Sequence, residues 1–209
     1  MQGIPLNERK RLGALLDDRP QTEVMAMIPQ FSQAETDNFV APPAKIPEAL
    51  GVLMFNMERG VNLPEIQEFL RDCPDIQPFD VILANELDDG CARSGNKNTA
   101  RELAQAFGLN YAWGLEFIEL VNDENAKGFH GNAVFSRWPI RRAGVIRLPE
   151  QYNWYFDRQK RIGGRLAVFA ELDVGGQPVG AVSIHLENRT HGEGRKAQMA
   201  AILEAVRKE

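Results

Sequence analysis

The apolar positions along this chain fall into two textures that meet near residue 47. Before that point the pattern is weak. Residues 7–17 carry the spacing of one short helix, and the stretch from Pro20 to Pro47 is proline-punctuated with little periodicity, which predicts an extension or wrapping arm. Half of the 12 prolines lie in the first 47 residues, whereas only two of the 18 glycines lie in the first 50. The chain therefore divides into residues 1–47, a helix plus a proline-rich arm, and a main domain over 48–209.

From Gly51 onward, strand and helix signals alternate. Val52-Leu53-Met54-Phe55 is a continuous apolar run, expected to be a strand buried on both faces. A helix follows, with Asn62 and Glu65 in a capping-box spacing, Pro64 in the first turn, and Leu63, Ile66 and Leu70 on one face. Phe79 to Ala84 reads as the next strand, ending at Asn85-Glu86. Thr99 and Glu102 are placed to cap a third helix carrying Leu103 and Phe107, with Gly108 as its stop. Short strands are expected near 111–118, 132–136 and 143–148.

Residues 165–186 read as a hairpin. Leu166, Val168, Ala170 and Leu172 alternate, Gly175-Gly176 turns the chain, and Val182, Ile184 and Leu186 alternate again, leaving Ala181, Ser183 and His185 on the other face. Met199, Ile202, Leu203 and Val206 then form a helical stripe. A helix directly after a core strand ordinarily crosses over to a further strand. Here the sequence stops three residues later, which predicts an α/β domain incomplete at its C-terminus.

Composition narrows the class. The chain has 209 residues, 44% hydrophobic and 25% charged, as an ordinary soluble domain does. No apolar stretch reaches the ~18 residues of a membrane span, and the first twenty residues lack a secretory leader. Cys73 and Cys91 have no CxxC partner and read as reduced thiols. A cytoplasmic protein is the expectation. There is no internal repeat, no GxGxxG and no GxxxxGK[ST], so a generic nucleotide-binding module is poorly supported.

The net charge of −5 conceals a segregation. Arg137 to Arg165 holds eight basic and two acidic residues, a net of +6 that leaves −11 for the rest, together with Trp138, Tyr152, Trp154, Tyr155 and Phe156. Basic residues interleaved with aromatics suit a phosphate-bearing partner, and equally an ordinary solvated strand-loop-strand. Three polar residues stand at strand ends, where ligand groups collect: Asn56, Glu86 and His185. A carboxylate and an amide oxygen suit Mg²⁺ or Mn²⁺, and a histidine opposite them can donate to a phosphoryl oxygen. Asp88 and Asp89 are either further ligands or a solvated acidic turn.

In order, FNMERG at Phe55–Gly60, DVILANELDDG at Asp80–Gly90, GNAVFSRWPI at Gly131–Ile140 and VSIHLENRT at Val182–Thr190 resemble successive motifs of the endonuclease/exonuclease/phosphatase superfamily, whose members include deoxyribonuclease-I-like and exonuclease-III-like nucleases. Residues 90–120 also resemble a bacterial branch of it. The resemblance implies a two-sheet α/β sandwich of mixed sheets flanked by helices, and a divalent-metal-dependent phosphodiester hydrolase using in-line attack by water. It implies Mg²⁺ or Mn²⁺ at Glu86 and Asn56, with Asn56 also near the attacking water, Asn132 beside the substrate phosphate, and His185 on the scissile phosphate. Arg93, Asn96 and Arg101 lie in the branch-specific loop and are candidates to meet substrate. The substrate class stays open among nucleic acid, phospholipid and small phosphodiesters.

The superfamily pattern continues into an Asp-x-Asn strand and a terminal Asp-His pair. No Asp occurs after Asp173, and His130 and His191 are expected in loops. The alternative expectation is therefore an inactive truncated form that at most binds metal or phosphate. Such a form would expose an unpaired sheet edge through which it could self-associate.

Overall fold

The structure is a computed structural model that describes residues 1–208. Its elements are α1 (Leu6–Ala14), α2 (Gln21–Ala26), β1 (Ala34–Asp37), β2 (Val52–Arg59), α3 (Leu63–Asp72), β3 (Val81–Asp89), α4 (Thr99–Phe107), β4 (Asn110–Glu119), β5 (Phe129–Ser136), β6 (Ile140–Arg147), β7 (Arg161–Gly163), β8 (Leu166–Val174), β9 (Gln177–Ile184) and α5 (Gly192–Val206). A six-stranded sheet runs β1-β4-β5-β3-β2 with β7 also paired to β4, and a three-stranded sheet runs β6-β8-β9. Only β2 and β3 pair in parallel; the remaining pairs are antiparallel.

Period-two alternation sorts the strand residues between cores. In β3, Ile82 and Ala84 join the core under the helices, while Val81 and Leu83 face the small sheet. In β4, Tyr111, Trp113 and Leu115 take the helix side and Ala112 the inter-sheet side. Leu166, Val168, Ala170 and Leu172 of β8 fill the inter-sheet core, and Ala167 turns outward to Ile202 of α5. The result is a two-sheet α/β sandwich with helices on both outer faces.

Residues 1–47 pack closely on this sandwich. Ile4, Leu12, Leu16, Val24, Ile28 and Phe31 are buried in the helix-side core, and β1 pairs with β4. From Pro20 the chain wraps the sandwich as a helix, a 3-10 turn at Pro29–Ser32 and a strand. Arg147 fastens it: its guanidinium donates to the carbonyls of Phe31 (2.8 Å), Gly164 (3.1 Å) and Leu115, and lies 4.8 Å from the Phe31 ring centroid.

Other elements depart locally from the expected pattern. Val52 and Met54 are exposed, 56% and 74%, because β2 is the outermost strand and its inter-sheet face is left uncovered; Leu53 and Phe55 pack on the helix side. Asn98 rather than Thr99 caps α4, accepting from the Arg101 amide at 2.9 Å, and the Thr99 hydroxyl donates to the Asp88 carbonyl at 2.8 Å. Asn62 occupies the N-cap position of α3 without a side-chain bond. In α5, Ile202 is buried but Leu203 is half exposed, and Gln198 holds the inner face by accepting from the Glu187 amide and donating to the Pro149 carbonyl.

Gly131 of β5 pairs with Leu115 of β4 and has no room for a side chain. A Cβ there would strike the Gly114 carbonyl and come within 2.7 Å of the Trp113 ring. Gly131→Ala is accordingly expected to cost about 1–3 kcal/mol through overpacking, seen as a lower urea midpoint at unchanged slope.

Candidate active site

The site begins with two bulges at the same level of adjacent strands. The β2–β3 register slips between Asn56 and Arg59, and the β3–β5 register slips between Ala84 and Leu87. Within these slips Glu58, Arg59 and Glu86 have φ of 46°, 68° and 60°. A left-handed non-glycine residue costs roughly 1–2 kcal/mol, and a bulge re-aims its side chain. Local bonds hold the turn: the Glu86 amide donates to Asn132 Oδ1 at 3.1 Å, and the Glu58 amide to Asn56 Oδ1 at 2.9 Å. Glu86 and Arg59 thereby line the same cavity, of about 230 Å³, with His130, Arg161, Arg165 and Arg189.

Beside it, His185 follows the end of β9. Its Nδ1 is 3.2 Å from Oε2 of Glu116, a fully buried carboxylate on β4, and its Nε2 is 3.7 Å from Glu86 Oε1. Arg165 Nη1 donates to Glu116 Oε1 at 3.2 Å and sits 2.9 Å from His185 Nδ1, while its Nε reaches Glu187 Oε2 at 3.3 Å. Trp154 donates its indole N–H to Glu187 at 2.8 Å, and the guanidiniums of Arg161 and Arg165 stand 5.1 and 5.3 Å from its ring centroid. Both arginines are thus fixed by packing before any ligand arrives, which is preorganisation.

A second buried row supports the first. His130 Nδ1 is 2.9 Å from Asp88 Oδ1, and its Nε2 is 3.8 Å from Glu116 Oε2. Arg93 grips Asp88 with two bonds of 2.7 and 2.8 Å. Burial pushes both carboxyls upward, but the cations prevail: His185 and Arg165 hold Glu116 at about 2, and Arg93 and His130 hold Asp88 at about 2. Both stay ionised at neutral pH.

The sequence-predicted residues separate into two groups. Glu86, Asn132 and His185 are brought together, with Asn132 fully buried and its amide nitrogen without an acceptor. Asn56 pairs in register with Asn85, beside Glu86, but its side chain is exposed and braces the bulge. Arg93 is locked between Asp88 and Glu119 (3.0 Å). Asn96 staples a loop through the Glu124 carbonyl and the Ala126 amide, and Arg101 faces Asp37 at 3.6 Å. None of these three lines the cavity. His130, expected in a loop, lies in β5 and is 2% exposed, because strand β5 begins earlier than the apolar run suggested. The basic strip also divides: Arg161 and Arg165 reach the site, Arg147 is deep in the fold, and Arg141 and Arg142 pair with Asp173 and Glu171 on the outside of the hairpin.

Glu116 and Glu187 escaped the sequence reading. A signal was available for the first: a carboxylate within the apolar strand of Asn110–Glu119 must be paired, and the fold supplies His185 and Arg165.

The implied metal meets a sparse donor set. Among the described residues there is no group of three or more His, Cys, Asp or Glu side chains arranged to hold an ion. Mg²⁺, however, keeps several waters and is commonly bound through one or two carboxylates plus substrate phosphate. Glu86, one-quarter exposed and aimed into the cavity, fits that sparse mode.

No family model and no curated protein matches the sequence. Solved structures do match. An endonuclease/exonuclease/phosphatase family protein from Leptotrichia buccalis C-1013-b superposes with a TM-score of 0.51 at 20% identity, over 75% of this chain and 63% of that one. The chain has the endonuclease/exonuclease/phosphatase fold. SmcL (TM-score 0.47, 14% identity, 78% of this chain and 59% of that one) and sphingomyelinase C from Streptomyces griseocarneus (0.45, 19%, 77% and 60%) also match. The matched region spans about 60% of each of these proteins.

The depressed carboxyls set an acid limit. In the unfolded chain Glu116 and Asp88 titrate near their ordinary 4.5 and 3.8, and in the folded protein near 2. Their contribution is fully present above about pH 4.5 and is lost as the pH falls through 2. Urea midpoints measured from pH 7 to pH 2.5 should fall steeply below about 4.5, and the fall should be shallower in Glu116→Gln.

Proposed function

We propose that the chain carries the phosphate-binding half of a phosphoester hydrolase, with phosphodiesters cleaved by in-line attack of water. The observation that supports this is the joint presence, around one small cavity, of four arginines and the carboxylates of Glu86 and Asp157, with His185, backed by the buried Glu116, beside it. Phosphoryl transfer depends mainly on positioning and charge neutralisation. Arg161, Arg165 and Arg189 would hold the phosphoryl oxygens, with the Trp154 indole keeping the guanidiniums in place. His185 would donate from Nε2 to a phosphoryl oxygen as charge builds, its Nδ1–H committed to Glu116. Glu86 would hold Mg²⁺ or Mn²⁺, which when bound supplies charge neutralisation and a more acidic water. Substrates within reach of this chemistry include nucleic acids, phospholipids and small phosphodiesters.

A second reading is anion binding without turnover. It is favoured by the balance of the cavity itself, where four guanidiniums, from β2, β7, the link between β7 and β8, and the loop after β9, outnumber the carboxylates of Glu86 and Asp157.

The two readings are separated with bis(p-nitrophenyl) phosphate and Mg²⁺. Hydrolysis is expected, falling ~10²–10³-fold in His185→Ala, to background in Glu86→Ala, and roughly 10- to 100-fold in Glu116→Gln. Equal residual rates in wild type and variants would overturn the hydrolase reading. Saturable binding of inorganic phosphate that weakens in Arg165→Met, with no turnover, would establish the second.

A further inference from the structure

A larger cavity lies on the other side of the Gly163-Gly164-Arg165 strip, between α2 with the Pro29–Ser32 turn, the segment after β6, and α5. It measures about 620 Å³, within the range of small-molecule sites. Met25, Ile28, Phe31, Leu148 and Ala201 give it an apolar lining. Gln21, Thr22, Ser32, Glu150 and Arg165 also border it, and Arg147 lies deep in the fold yet keeps partial solvent access through this opening.

Arg147 shares with the buried Arg9 a partner set of backbone carbonyls, but of the two only Arg147 lines this cavity. Arg93, Arg161 and Arg165 each meet a carboxylate within 3.3 Å, whereas the bonds of Arg147 all go to backbone carbonyls: Nε to Phe31, Nη1 to Gly164 and Nη2 to Leu115. A guanidinium has five N–H donors, so one remains on each terminal nitrogen. Burial pulls its pKa down to about 9, against the favourable field of Glu116, so its charge is incompletely balanced by the protein. Two donors on adjacent nitrogens match the paired oxygens of a carboxylate or phosphate.

The cavity mouth carries the opposite sign. Glu150 is exposed there, and burial of its surroundings raises its carboxyl pKa. A second negative group at the outer end of a ligand would meet repulsion. The occupant therefore has one anionic head for Arg147 and an otherwise uncharged, apolar body.

We propose that this cavity binds a single-headed anionic amphiphile, its carboxylate or phosphate on Arg147 and its hydrocarbon chain against Met25, Ile28, Phe31, Leu148 and Ala201. The site is distinct from the phosphoester cavity in every lining residue but Arg165, which borders both.

The test is isothermal titration calorimetry of the full chain with decanoate, decyl phosphate and, as the opposite charge, decyltrimethylammonium, each below its micellar concentration. Saturable one-to-one binding is expected for an anion and not for the cation, and the tighter of the two anions identifies the head. Octanoate should bind roughly tenfold more weakly than decanoate, since each buried methylene contributes ~0.8 kcal/mol. Ala201→Phe fills the cavity from a half-buried position on α5, leaving Arg147 untouched, and should weaken binding at least tenfold with an unchanged circular dichroism spectrum. Three results would each overturn the proposal: binding of the cation as tight as that of the anions, undiminished binding in a folded Ala201→Phe, or no saturable binding of either anion.

Discussion

The arrangement of the site turns on one buried negative charge. Glu116 sits within a strand whose every residue is buried, where an unpaired carboxylate would cost several kcal/mol. Its two oxygens are taken by Arg165 from the start of the hairpin and by His185 from its end. Satisfying that charge therefore fixes the small sheet against the large one at a single register. Arg165 in turn meets Glu187, which holds Trp154, so the requirement passes outward to the aromatic loop after β6. A structural necessity, pairing a charge in the sheet interior, yields a histidine with a defined orientation at the cavity edge.

The left-handed turns at Arg59 and Glu86 complete that arrangement from the opposite side. Without the bulges, Glu86 would follow the alternation of β3. With them, it is rotated to within 3.7 Å of His185. Backbone strain of this kind persists only where surrounding bonds over-determine it, and Asn132 is the residue that does so, through the Glu86 amide. Its place in the cluster is positional, with one unpartnered amide nitrogen left over.

Much of the fold was legible because strand periodicity is a local property. The alternation of Leu166, Val168, Ala170 and Leu172, the Gly175-Gly176 turn and the Gly108 stop of α4 all followed from neighbours in sequence. The exposure of Val52 and Met54 was not legible, since it depends on which strand is outermost, and the close packing of residues 1–47 depends on Arg147 arriving from β6. In the site, Glu86, Asn132 and His185 could be found as polar residues at strand ends or within the quoted motifs. Glu116 carried a signal as a carboxylate within an apolar strand, but its partners His185 and Arg165 arrive from the distant hairpin and are not set by neighbours in sequence. Nor could the basic strip show that Arg161 and Arg165 point inward while Arg141 and Arg142 point out, because that follows from the β7–β4 and β6–β8 pairings.

The most direct measurement on this Glu116-centred site is long-range ¹⁵N–¹H correlation of the His185 imidazole at neutral pH. The ring should carry a proton on Nδ1, hydrogen-bonded to Glu116, and a second one on Nε2 once inorganic phosphate is bound, with chemical shifts that move on Glu116→Gln and on the phosphate titration. A ring protonated on Nε2 alone, indifferent to Glu116→Gln and to phosphate, would contradict it.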